Sequence, residues 1–172
     1  MNGFALLPKL TARAKTSPGW LRLLNLLLGR IIPFNRPHGF VIEELRDNYL
    51  RTTAPYRRSN HNHLRGIHAC AIATIAEFSG GYLLLSRLDP RKYRLIMSRI
   101  EVDYVYQAKT RIVSESDLPE ERLQREIIEP LQEQEAVTIR MESRISDVQG
   151  NRIATAVTIW QVKGWDRVRT KI

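Results

Sequence analysis

The chain has a single cysteine, Cys70, among its 172 residues. This excludes an intrachain disulfide framework and a thiolate zinc site. A lone thiol suits a reducing compartment, so a cytoplasmic location is expected. No run of five or six consecutive basic residues occurs, and there is no arginine–glycine tract. Zinc-finger, helix-turn-helix and aromatic RNA-binding patterns are also missing. Nucleic acid is therefore not the expected partner, despite a net charge of +9. Near the N terminus the apolar stretch at residues 4–7 is short and lacks the cleavage-site pattern of a secretory signal.

What remains is an ordinary globular composition, with 43% hydrophobic and 26% charged residues. The length suffices for one sizeable core. The charge is uneven. Residues 1–60 carry net +7, residues 61–100 net +4, residues 101–136 net −6 and residues 137–172 net +4. The plain reading is a solvated basic surface. The functional one is contact with phosphate, on a cofactor or on lipid head groups.

Ser17 and Pro18 are suited to start a helix. Trp20 to Ile32 is its leucine-rich body, and Pro33 and Pro37 end it. That run is too short to span a bilayer, which takes about 20 residues. Two roles stay open for it: packing on the domain or a partner subunit, or peripheral membrane contact through Arg13, Lys15, Arg22 and Arg30. Residues 1–37 thus read as an N-terminal helical extension and residues 38–172 as the main domain.

Residues 39–45 and 49–54 read as two strands around a turn at Asp47 and Asn48. A polar loop follows. Residues 66–86 then contain Glu77 as their only acidic or basic residue apart from His68. The length permits a membrane span, but an acidic residue near the middle costs about 2.5–3.5 kcal/mol on insertion scales. A central helix wrapped on most sides by other structure is expected instead. Residues 94–106 alternate, with Ile96, Ile100, Val102, Tyr104 and Tyr106 on one face. Residues 110–116 read as a strand, 118–134 as an acidic helix, 137–145 as a strand, 147–151 as a turn and 152–163 as the last strand. The pattern predicts an α+β fold in which an antiparallel sheet curls around a central helix.

Glu77 is the first chemical candidate. Burial would raise its pKa and suit it to act as a general base or nucleophile. The second is the helix start at residues 66–69, whose backbone N–H groups can stabilise a developing oxyanion. His68 and Glu77 are nine residues apart, or 2.5 turns and about 13.5 Å on one helix. They would lie on opposite faces, so joint action requires two antiparallel copies of the helix in a dimer. His61, His63 and His68 lack acidic or thiolate partners at metal-site spacing, and no metal is expected. Cys70 reads as a buried, inert thiol.

These residues resemble a family. The stretch from His68 to Glu77 (HACAIATIAE), with Asn62 six residues before the histidine, is similar to the motif of hotdog-fold acyl-CoA thioesterases of the phenylacetate-pathway type. Residues 100–108 (IEVDYVYQA) resemble the strand that follows the family's helix, and residues 145–154 (ISDVQGNRIA) resemble its late hairpin. The likeness covers roughly residues 38–163. Ala69 and Cys70 stand where the family has paired glycines, and Glu77 stands where its closest members have aspartate. The resemblance implies a hotdog fold and an acyl-CoA or acyl-carrier thioester as substrate. It implies Glu77 as catalytic acid residue, the Ala69 N–H as carbonyl-polarising donor, Asn62 as the residue orienting water or substrate, and His68 as support for the loop. It implies no cofactor beyond the coenzyme A of the substrate, whose phosphates would meet Arg57, Arg58, Arg91 and Lys92. It also implies a homodimer or a dimer of dimers. A hydroxyacyl-thioester dehydratase and a non-catalytic acyl-binding or membrane-associated module are the competing readings.

Overall fold

The structure, a computed structural model, describes residues 3–168. Two helices open the chain, α1 (Gly3–Ala14) and α2 (Pro18–Ile31), followed by a 3-10 turn at Pro33–His38. Then come β1 (Val41–Leu45), β2 (Tyr49–Ala54), the long helix α3 (Ala69–Arg87), β3 (Tyr93–Tyr104) and β4 (Ile112–Asp117). The acidic segment holds α4 (Glu120–Leu123) and α5 (Pro130–Glu133), and β5 (Ala136–Asp147) and β6 (Arg152–Gly164) complete the sheet. All six strands pair antiparallel in the order β1-β2-β4-β5-β6-β3. The sheet curls around α3, which touches β2 through β6. This is the hotdog arrangement.

Small and hydroxyl-bearing residues let α3 lie close to the sheet. Ser79, fully buried, donates to the Ile75 carbonyl at 2.7 Å and shares hydrogen bonds with Thr52 and Ser114. Ser143 on β5 donates to the Ala76 carbonyl at 3.1 Å. A side chain at Gly81 would meet the Trp160 ring at 2.5 Å. Gly81→Ala therefore sets a helix-propensity gain of about 1 kcal/mol against an overpacking cost of about 1–3 kcal/mol. A net loss of stability, read as a lower midpoint in chemical denaturation, is the expected outcome. An unchanged or raised midpoint would show that the Trp160 ring yields freely.

Four features differ from the sequence expectation. Residues 3–14 form a helix where the sequence reading has only a short apolar stretch. Its signal was present, because Leu7, Thr11 and Ala14 recur at helical spacing and all three are buried. Thr11 shares a 2.8 Å hydrogen bond with Tyr82 of α3, and Leu24 and Leu28 of α2 join the same core. The described part of the N-terminal segment, residues 3–37, thus shares buried contacts with the sheet domain. Second, β3 carries a bulge at Ser98, between Met97 and Arg99. The extra residue exchanges the faces of the strand. Tyr93, Leu95 and Met97 pack inward before it and Val102 after it, while Ile96 points outward and is 49% exposed.

Third, the acidic helix contains a π-helical turn at Gln124–Ile128, with the Glu129 N–H bonded to the Gln124 carbonyl at 2.9 Å. Pro130 has no N–H to continue the regular ladder, and the wider turn accommodates it. Fourth, α3 begins at Ala69, not at residue 66; it is wrapped on most sides, as expected. Ala69, Cys70, Ala73, Thr74, Glu77, Gly81 and Leu85 form a partly open stripe at helical spacing. Cys70 is exposed, contrary to the buried thiol expected. The stripe runs beside β3, the long edge strand that pairs only with β6.

Candidate active site

The loop before α3 is built around two asparagines. Asn60 is almost fully buried. Its amide donates to the His38 and Pro55 carbonyls at 2.9 Å each, and its side-chain oxygen meets His38 Nδ1 at 2.9 Å. Its own carbonyl accepts from the His68 N–H at 2.7 Å. Asn60 therefore clamps the segment that delivers the helix start. An asparagine in a polar loop carries no sign of burial, which explains why the sequence did not single it out. Asn62 Oδ1 accepts from the Leu64 and Gly66 N–H groups, both at 2.9 Å. This turn leaves only its amide nitrogen free for other contacts. Gly66 lies so close to Gln107 that a side chain there would come within 2.7 Å of it.

His68 is the N-cap of α3, with Nδ1 accepting from the Cys70 N–H at 3.0 Å. The Ile67 N–H bonds to the Ala108 carbonyl and the Gly66 N–H to Asn62, so the residues before the helix have no free donor. Ala69, the first helical residue, is the exception. Its N–H has no protein acceptor among the described hydrogen bonds, it sits at the positive end of the helix dipole, and the residue is exposed. Tyr104 OH donates to the Ala69 carbonyl at 3.0 Å. Asn62, Ala69, Ile72, Tyr104 and Gln107 line a cavity of about 320 Å³.

Glu77 lies elsewhere on the same helix. It lines a cleft of about 370 Å³ with Phe78, Tyr82, Leu85, Tyr93 and Trp160. Burial pushes its carboxyl above the usual range, and no cation or hydrogen-bond donor offsets this. A half-buried, unpaired carboxylate in a largely apolar cleft, which Arg94 and Asn35 also line, can take a proton from water.

The structure does not bring the two halves together within one chain. Ala69 and Glu77 are eight residues apart, about 12 Å of helical rise. About 80° of rotation separates them, so both belong to the open stripe. His68 caps the helix from just outside its first residue. The two cavities share no lining residue.

The basic candidates are also divided. Arg57 donates to the Pro37 carbonyl, and its guanidinium lies under Gly39. Arg58 joins Arg36, Pro37, Arg57 and Ser59 around an open hollow near the helix start. Arg91 is held by Asp89, which raises its pKa through a hydrogen bond. Lys92 is exposed beside it. Arg91 and Lys92 follow the C-terminal end of α3, one helix length from Arg57 and Arg58. The His61 ring lies tilted against Tyr56, with ring centroids 4.2 Å apart. No group of three or more His, Cys, Asp or Glu side chains able to hold a metal forms among the described residues.

Solved structures with this fold include a Pseudomonas aeruginosa protein described as a probable thioesterase. It is 26% identical, with a TM-score of 0.76, over 83% of this chain and 95% of that one. A second Pseudomonas aeruginosa protein, a thioesterase, is 17% identical with a TM-score of 0.67, covering 84% and 94% of the two chains. A Haemophilus influenzae thioesterase is 11% identical with a TM-score of 0.66, covering 84% and 90%. The last two likenesses bear on the fold alone. Comparison with curated protein sequences finds no match. The phenylacetate-pathway branch of the hotdog proteins is not singled out by these neighbours. The family model that matches spans residues 21–162, from α2 to β6, and the chain belongs to that family, described as domain of unknown function DUF4442.

Proposed function

We propose that the protein is a thioesterase that hydrolyses acyl thioesters of coenzyme A or of a carrier protein. The observation that carries this reading is Glu77, a carboxylate with a raised pKa and no hydrogen-bond or ion-pair partner at the wall of a largely apolar cleft. The active unit is a homodimer. A 12-residue edge strand with unpaired backbone groups beside an open helix stripe suits pairing with a second copy. Antiparallel apposition of two α3 helices sets the Ala69 N–H of the partner subunit against this chain's Glu77.

Glu77 then removes a proton from water as the water oxygen bonds to the thioester carbonyl carbon. The resulting oxyanion accepts from the Ala69 N–H of the partner subunit, aided by the helix dipole. The C–S bond breaks, and the leaving thiolate takes the proton back from Glu77. Asn62 and His68 act as positioning residues through the turn and the cap. Antiparallel apposition also draws Arg91 and Lys92 of one chain toward the end of the site that holds Arg57 and Arg58 of the other, where the phosphates of coenzyme A bind.

The cleft beside Glu77 takes the acyl group. At about 30 Å³ for a water-sized group, about 370 Å³ holds about a dozen heavy atoms. Thiol release from a series of acyl-CoA substrates should therefore rise in kcat/KM with chain length to about ten to twelve carbons and then fall. Tight acyl-CoA binding without thiol release would leave a binding module. An enoyl product without thiol release would leave a dehydratase.

A further inference from the structure

The first 42 residues contain six Lys or Arg and no Asp or Glu. On α2 after its first residue, Pro18, the exposed residues fall on one side. Arg22, Leu26, Gly19, Arg30 and Leu23 span an arc of about 100° at helical spacing, opposite the buried Leu24 and Leu28. Leu26 is 57% exposed, and Phe34, just past the helix, is 65% exposed. On α1, Leu6 and Lys9 are exposed as well. Among the described residues, Lys9, Arg22 and Arg30 make no ion pair. Lys15 is different, because it is paired to Asp47 at 2.6 Å and turned into the fold. Arg13 lies over the Trp20 ring at 4.6 Å.

We propose that the outer face of α2, with Phe34, docks on an anionic lipid surface, Leu23, Leu26 and Phe34 entering the interface while Arg22 and Arg30 meet lipid phosphates. Alternation of exposed leucines with unpaired arginines, and the lack of any acidic residue over 42 positions, is the composition of an interfacial helix. It matches a surface that is at once apolar and negative. A duplex or an acidic protein would satisfy the arginines but leave the leucines in water. Leu26 and Arg30 also wall a groove of about 240 Å³ that reaches Phe78. Phe78 lines the Glu77 cleft as well, so docking sets that cleft beside the bilayer. The proposal stands whether or not the cleft hydrolyses thioesters.

The test is co-sedimentation of the full chain with vesicles of phosphatidylcholine alone and of phosphatidylcholine with 30% phosphatidylserine. Each basic residue near an anionic surface adds about fivefold in affinity. Binding should favour the anionic vesicles at least about 25-fold and weaken when salt is raised to about 0.5 M. Arg22→Glu with Arg30→Glu should abolish that preference. Leu26→Ser with Phe34→Ser should lower binding at least about tenfold with the salt dependence retained. All four positions are exposed, so circular dichroism melts should match the parent. Equal binding to both vesicle types would overturn the proposal. So would an unchanged affinity in the Leu26→Ser, Phe34→Ser variant, or a drop in oligomeric state of that variant by sedimentation velocity, which would make the face a contact between copies.

Discussion

Glu77→Gln is expected to lower thioester turnover at least about 100-fold, the usual scale for losing a general base, without lowering thermal stability at pH 7. The two halves of this expectation share one cause. Burial raises the Glu77 pKa, so the folded chain holds that proton more tightly than the unfolded chain does. Stability from this group is fully present below the unfolded value and is lost as pH rises through the raised folded value. At neutral pH the ionised carboxylate thus opposes folding, and glutamine removes the charge at nearly constant shape. The melting temperature of the variant at pH 7 should equal or exceed that of the parent, and the difference should vanish in acid. The acid limb of the parent's rate profile should lie above the ordinary carboxylate range, because the base must be ionised to act. Turnover retained within a few-fold would remove Glu77 from the chemistry. A rate loss accompanied by a lower melting temperature would assign it a structural role.

Ala69→Pro is expected to cost about 10²–10³ in kcat, the effect of deleting one oxyanion donor. The substitution is unusually clean. Proline is favoured at the first position of a helix, where its missing N–H breaks no helical bond. The preceding His68 is already extended, at φ −65° and ψ 140°, as a residue before proline must be. Mixing the Ala69→Pro and Glu77→Gln chains tests the shared site directly. In a mixed dimer, one site joins an intact Glu77 to an intact Ala69 N–H, and the other lacks both. Random exchange should restore about a quarter of the parent activity from two nearly inactive proteins. No recovery, with exchange shown by a tag on one chain, would mean that the donor and the base do not meet across the dimer.

Element types were largely legible in the chain. Alternation in residues 137–145 and 152–163 marks strands because each has one buried face, and β5 and β6 bear this out. The run ending near Ser86, almost free of charge, marks the central helix because the sheet covers much of it. Misreadings arose where a local pattern met a tertiary constraint. The Ser98 bulge leaves no mark in composition, yet it turns Ile96 outward. Cys70 looks buried beside alanines and isoleucines, but it belongs to the stripe the sheet does not cover. Asn60 looks like a turn residue and is the buried clamp of the loop.

The spacing of Ala69 and Glu77 was set by the chain itself, since a helix converts residue number into rise and angle. A carboxylate inside a long apolar run likewise announced its own desolvation. Tertiary structure alone decided which helix face stays open, that the N–H groups of residues 66–68 are already bonded, and that the Ala69 N–H and Glu77 face separate cavities. These depend on which strand lies at the edge of the sheet and on how the loop's N–H groups are already used. Both are long-range properties that no local pattern encodes.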